Sequence, residues 1–206
     1  MIREACVENI AEAIKAEELG ANRVELCDNL AVGGTTPSIG TMITCKKYLK
    51  IPVMVLIRPR GGNFVYTPTE LEAMLLDIRT CRYAGADGIA TGAITPHGTV
   101  DMDMLNRLVE AAGNLQVTFH KAIDECRDIG LEILRLRDSG IHRVLSSGGA
   151  ETALEGADML NNMIRLASGK LIILAAGKVT AENLSKLSII IHTDEFHGRK
   201  IVGDLV

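Results

Sequence analysis

No run in the chain approaches the roughly 18 apolar residues of a membrane span, and the opening MIREACVENIAEAIK carries charges where a secretory signal keeps its apolar stretch. The expectation is a cytoplasmic protein without a membrane partner. Basic residues are not in excess: 22 Lys and Arg stand against 26 Asp and Glu, giving a net charge of −4 with both signs spread along the chain. There is no electrostatic footprint for nucleic acid. The five cysteines, Cys6, Cys27, Cys45, Cys81 and Cys126, are odd in number and contain no C-x-x-C pair. Neither a disulfide framework nor a zinc knuckle is encoded, and all five are expected as reduced thiols. No G-x-G-x-x-G follows the first strand, so no nucleotide cofactor is expected.

What is present is a single core-forming domain over 1–206, with 47% hydrophobic residues. Ile51 to Tyr66, IPVMVLIRPRGGNFVY, is its most informative stretch. Val53 to Ile57 is apolar without alternation, as in a parallel strand covered on both faces, and it breaks into Arg58-Pro59-Arg60-Gly61-Gly62. Pro59 stops the ladder and the glycines let the backbone turn, so two guanidiniums crown one strand end. Thr67-Pro68-Thr69-Glu70 is the clearest helix start, with a capping residue, Pro at the first helical position and Glu at the third. Cys81 falls in the apolar stripe of that helix and is expected in the core.

The strand-then-helix pattern recurs along the chain. Strands are expected at Ile2 to Cys6, Asn22 to Cys27, Val53 to Ile57, Asp87 to Thr91, Leu115 to His120, Ile141 to Ser146 and Leu171 to Ala175. Helices follow from Asn9, through Met42 to Leu49, from Thr67, Asp101 to Ala112, Asp128 to Asp138, Thr152 to Ala167, and after Thr180 as a cap. Units spaced at about 26 residues describe an α/β fold, a single (β/α)8 TIM barrel, rather than an open doubly wound sheet. The last unit is ambiguous: Ser188 to His192 or Glu195 to His197 can form strand eight, and either leaves too few residues for a full eighth helix. A short or missing eighth helix exposes an apolar seam, which predicts a homo-oligomer, dimer or higher.

Active faces of such barrels lie at the carboxyl ends of the strands. By alternation Glu4 and Cys6 share one face of strand one, Arg23, Glu25 and Cys27 one face of strand two, and Gln116, Thr118 and His120 one face of strand five. Pointing inward, these charges need partners and are better explained by a site than by stability. Arg58 and Arg60 can clamp a carboxylate or phosphate. Ser147, Gly148 and Gly177, after strands six and seven, can add backbone N–H donors. Glu4, Glu25 and His120 supply an acid/base set. This is an enzyme reading with a small anionic ligand, and it names no reaction.

ELCDNLAVGGTTPSIG (25–40), IPVMVLIRPRGGNFVY (51–66), VTFHKAIDEC (117–126) and SSG (146–148) resemble the CutC family linked to copper homeostasis, over nearly the whole chain. The resemblance implies a cytoplasmic TIM barrel with an oligomeric habit. It implies copper as partner, Cu(I) held by the cysteines of two E-x-C motifs, which are Cys6 and Cys27 here. It also matches Glu195-Phe196-His197 to the E-F-H of strand eight, which brings His197 into the site and favours the second reading of the last unit. Lys121 stands where the family carries Arg, and Gly198 where it carries Cys or Ser.

Overall fold

The computed structural model describes residues 1–205. Eight parallel strands close into a barrel in sequence order: β1 Ile2–Val7, β2 Arg23–Leu26, β3 Val53–Leu56, β4 Gly88–Thr91, β5 Gln116–Phe119, β6 Arg143–Ser146, β7 Ile172–Ala175 and β8 Glu195–Gly198. Seven helices pack outside: α1 Ile10–Glu18, α2 Ile39–Tyr48, α3 Pro68–Ala84, α4 Met102–Ala112, α5 Ile129–Leu136, α6 Ala157–Ala167 and α7 Leu184–Ile190. The helix starts follow their caps. Asn9, Ser38, Asp101 and Asp128 each accept a backbone N–H from the first turn, and Thr67 with Glu70 forms the reciprocal capping box.

Alternation divides the apolar side chains into two sets. Val24, Leu26, Val53, Val55, Ile89, Val117, Phe119, Val144 and Phe196 face outward into the large core beneath the helices. Inside the barrel lie two smaller clusters, Cys6, Cys27, Leu56 and Ala90 on one side, and Leu145, Leu174 and Ala176 on the other. All five cysteines are free and buried, and Cys81 sits in the outer core as expected.

One open alternative closes and two corrections concern helix starts. The isoleucines of Ser188 to His192 close α7 rather than forming a strand, and Glu195–Gly198 pairs with β1 in register Ile2 to Glu195 and Glu4 to His197. Apolar composition alone could not separate a buried helix end from a strand. α6 begins at Ala157, five residues after Thr152; Thr152 and Glu155 bond each other in an isolated turn instead. Thr180 does not cap α7: it bridges to Lys200, and Asn183 precedes the helix. Residues 199–205 contain no helix.

The lower interior is charged. Arg23 on β2 pairs with Glu4 on β1 and, at 2.6 Å, with Glu195 on β8. Arg143 on β6 reaches the same Glu195 oxygen at 2.8 Å and the Gln116 Oε1 on β5 at 2.6 Å. Five strands are thereby cross-linked, through Glu4, Arg23, Arg143 and Glu195, which are buried, and Gln116, which is exposed. Removing one member leaves buried charge uncompensated, at a cost of about 3–5 kcal/mol. Arg23→Met, which leaves Glu4 with His197 alone and Glu195 with Arg143 alone, is expected to lower the urea-unfolding free energy by up to about that amount. A loss below about 1 kcal/mol contradicts a fully buried network.

Candidate functional site

Parallel register places four reactive side chains together above this charged floor. Cys6 pairs in register with Glu25, Glu4 with both Arg23 and His197, and Cys27 lies one residue past the end of β2. The Cys6 and Cys27 sulfurs are 3.7 Å apart, and Cys27 Sγ lies 3.5 Å from Glu25 Oε2. One ligand atom from each of Cys6, Glu25 and Cys27 falls within 4.8 Å of the others. His197 joins two carboxylates, its Nδ1 2.8 Å from Glu4 Oε1 and its Nε2 3.7 Å from Glu25 Oε2.

The charges of this group are interdependent. Burial acts to protonate Glu4, but the His197 hydrogen bond and the Arg23 charge overcome it and hold the carboxyl at about 2. His197 is buried yet raised well above the usual imidazole value by the carboxylates of Glu25 and Glu4 and by the Cys6 sulfur. The hydrogen bond between the Cys27 and Cys6 sulfurs, against the opposing effect of burial and with His197 beside it, brings the Cys6 thiol down to about 5. Cys27, the other partner in that bond, is raised well above an ordinary thiol. Burial first, then the Cys6 and Glu4 charges, push Glu25 to about 8. The four groups titrate as one coupled set, in which His197 is drawn toward the imidazolium and Cys6 toward the thiolate while Cys27 and Glu25 hold their protons more tightly than ordinary groups of their kind.

The opposite wall comes from β3 and β5. His120 follows β5, and its Nδ1 accepts the Ala122 N–H at 3.3 Å, which places the ring proton on Nε2. The ring can lie there because residue 92 is Gly: a Cβ at that position would stand 2.9 Å from Nδ1. Nε2 is buried and has no hydrogen-bond partner among the described residues. Burial and then the Arg58 charge lower His120 to about 3, so the ring is neutral. Phe64 stacks on it at 4.9 Å between ring centroids and on the Arg58 guanidinium at 4.8 Å. Between the two walls is a cavity of about 140 Å3, reached by Cys6, Cys27, Glu25 and His197 from one side and by Arg58, Phe64 and His120 from the other.

Not every expected site residue joins it. Arg58 lines the cavity, but Nη1 donates to Val32 O and Gly34 O, both at 2.9 Å, and Nη2 to Gly62 O at 2.7 Å. It ties the loop after β2 to the loop after β3, and only its Nε is left without a partner. Arg60 pairs with Glu70, donates to Asn63 O and Val65 O, and stays outside the cavity. Arg58 and Arg60 do not share this cavity; both border a separate recess lined by Thr36, Pro37 and Asp77. Glu4 and Arg23 lie beneath the cavity rather than lining it.

The corner after β6 is also committed. Asp124 accepts the backbone N–H groups of Ser147 and Gly149, each at 3.0 Å, together with the hydroxyls of Ser146 and Ser147 and the Lys121 ammonium. A carboxylate of the chain itself occupies the donors expected for a phosphate. The Gly148 N–H goes to Ser146 Oγ at 2.8 Å, and Gly177 is a packing glycine whose Cβ would meet Ser147 Cβ at 2.7 Å. Sequence reasoning missed Arg143, Phe64, Gly92 and the role of Asp124. Arg143 was within reach of the alternation rule, since it shares a face of β6 with Leu145.

His120 gives the site a measurable pH signature. Its folded pKa, about 3, lies below the unfolded value of about 6.5, so between them the unfolded chain binds more protons and stability falls as pH falls. His120→Phe is expected to shallow the slope of unfolding free energy against pH by up to one proton, about 1.4 kcal/mol per pH unit, between pH 6.5 and 3. Identical slopes for the two proteins contradict a buried neutral His120.

The profile of the CutC family matches residues 1–202. A CutC family protein from Xylella fastidiosa is 43% identical over 194 residues, covering 94% of this chain and 73% of that protein. The human copper homeostasis protein cutC homolog is 40% identical over 196 residues, covering 95% of this chain and 72% of its own length. A CutC crystal structure from Streptococcus agalactiae superposes with a TM-score of 0.93 at 35% identity, covering 98% of this chain and 99% of that one. With the profile spanning the barrel from β1 through β8 and relatives this similar, the chain belongs to the CutC family.

Proposed function

We propose that this protein is a cytoplasmic participant in copper homeostasis that binds Cu(I) through Cys6 and Cys27 at the barrel mouth. The observation that carries this is the 3.7 Å sulfur separation on adjacent strands, facing one cavity. Soft thiolates suit Cu(I) better than hard cations. With a metal–sulfur bond of about 2.3 Å, as for Zn–S, a linear two-thiolate site needs sulfurs about 4.6 Å apart. A separation of 3.7 Å corresponds to a bent S–metal–S angle of roughly 107° at that bond length. The bend leaves room for a third ligand, and Glu25 is the group in reach. Metal entry displaces the Cys27 proton, while Cys6 already carries thiolate character. Self-association belongs to the same proposal, since Tyr83 and Ile189 are 80% and 79% exposed.

A second reading, an acid/base enzyme for a small anionic metabolite, keeps one supporting observation. Neutral His120, with Nε2 unpartnered, borders the same cavity as protonated Glu25.

Anaerobic competition against a Cu(I) chelator decides the copper proposal. The wild-type protein is expected to withdraw one Cu(I) per chain, and the Cys6→Ser, Cys27→Ser double variant to withdraw none. Over neutral pH the wild-type affinity should rise with pH, because the metal competes with the Cys27 proton. Equal affinities of wild type and double variant remove the cysteines from the account.

A further inference from the structure

The sulfur pair lies under a short loop. Cys27 is 1% exposed and Cys6 8%, and both belong to a buried cluster with Leu56 and Ala90 on which Leu30, partly exposed, packs. Leu30 therefore stands between the sulfurs and solvent. Its loop is tied at the base by reciprocal backbone bonds, Asp28 N–H to Thr35 O at 2.9 Å and Thr35 N–H to Asp28 O at 2.7 Å. Of residues 28–33 all but Leu30 are exposed, so the turn has one apolar anchor and little else beneath it.

Polar contacts hold the turn from both sides. Arg58, after β3, donates Nη1 to Val32 O and Gly34 O, while Glu8, one residue past β1, accepts the Leu30 N–H on Oε1 at 2.7 Å. Glu8 is itself positioned: its own N–H goes to Glu12 Oε2 at 2.9 Å, and Arg199, after β8, donates to both Glu12 oxygens at 2.9 and 3.0 Å and reaches Glu8 at 3.6 Å. Contacts thus run from the end of β8, across β1, to the residue that covers the sulfurs. A charge-assisted bond is among the stronger single contacts a turn can make, and an exposed turn with one apolar anchor belongs to the least stable parts of a fold. We propose that Leu30 is a movable cap over the Cys6 and Cys27 sulfurs and that Glu8 is the positioning residue that keeps it shut. Lifting residues 29–34 about the Asp28 and Thr35 base exposes both thiols and leaves the barrel strands paired. As a route for Cu(I) the cap rests on the copper reading of the site; as a cover over two thiols it does not.

The other three cysteines provide an internal control, since Cys45, Cys81 and Cys126 are buried in the outer core, away from the loop. Metal-free protein is alkylated with N-ethylmaleimide, and the rate at each cysteine is followed by peptide mass spectrometry. Covered thiols react only through opening, so the rate reads the open fraction. Glu8→Ala is expected to speed Cys6 and Cys27 by roughly tenfold or more, the worth of a hydrogen bond to a charged acceptor, and to leave Cys45, Cys81 and Cys126 at their wild-type rates. Glu8→Gln keeps a side-chain oxygen for the Leu30 N–H and should return most of the protection. Leu30→Ala removes the cap and leaves the latch, so it should speed the same two cysteines, and it carries the test if Glu8→Ala does not fold. No copper is present, so a failed copper site leaves these rates unchanged, and a failed cap leaves the chelator competition unchanged. Wild-type rates at Cys6 and Cys27 in Glu8→Ala and Leu30→Ala, or a parallel rise at all five cysteines, overturns the proposal.

Discussion

The buried pairing of Glu4 with Arg23 is the interaction on which the rest of the site depends. Ionising a carboxyl inside the barrel costs several kcal/mol in desolvation, and Arg23 offsets that cost at Glu4 while sharing Glu195 with Arg143. His197 is drawn toward the imidazolium form by Glu25 first, then by the Cys6 sulfur and Glu4, and its hydrogen bond together with the Arg23 charge holds Glu4 as an anion. With His197 positive, the Cys6 sulfur becomes a thiolate and Cys27 keeps the proton they share. Floor and mouth are thus coupled through one histidine that bonds Glu4 below and faces Glu25 above. An ionic floor of this kind is a poor device for stability alone, since well-packed apolar side chains often do as well. Its consequence is a fixed protonation pattern around two sulfurs.

Asp124 plays the complementary part on the far side of the barrel. It gathers two backbone N–H groups, two hydroxyls and the Lys121 ammonium, so the corner after β6 is already satisfied. Arg58 is likewise spent, except at Nε, in holding the loops after β2 and β3 together. What remains is narrow: a cavity with the sulfur pair and Glu25 on one wall and Phe64, Arg58 and His120 on the other. The two functional readings therefore share one cavity, and Glu25 belongs to both.

Much of this architecture was legible because strands alternate and helices are capped. The period of two placed Glu4, Cys6, Arg23, Glu25, Gln116, Thr118 and His120 on inward faces, and the interior bonds of the barrel are made by those residues with Arg143 and Glu195. Capping chemistry likewise located α1, α3, α4 and α5 from Asn9, Thr67, Asp101 and Asp128. Loop destinations were not legible. Arg58 finds its carbonyls because Asn29, Gly33 and Gly34 take left-handed backbone angles of 50°, 87° and 90°, a path no local pattern specifies. Asp124 reaches the β6 corner through the short 3-10 turn Lys121–Glu125, so its partners are set by tertiary geometry. The sulfur contact lay between these cases: neighbouring strands implied closeness, but register determined a bent rather than a linear arrangement.

X-ray absorption at the copper edge of the Cu(I)-loaded protein addresses the central claim most directly. A thiolate pair on β1 and just beyond β2, with Glu25 alongside, predicts a three-coordinate first shell of two sulfurs at about 2.3 Å and one oxygen. The Cys6→Ser, Cys27→Ser double variant should lose both sulfurs. A first shell containing only nitrogen or oxygen in the wild-type protein, or sulfur that persists in the double variant, contradicts the account.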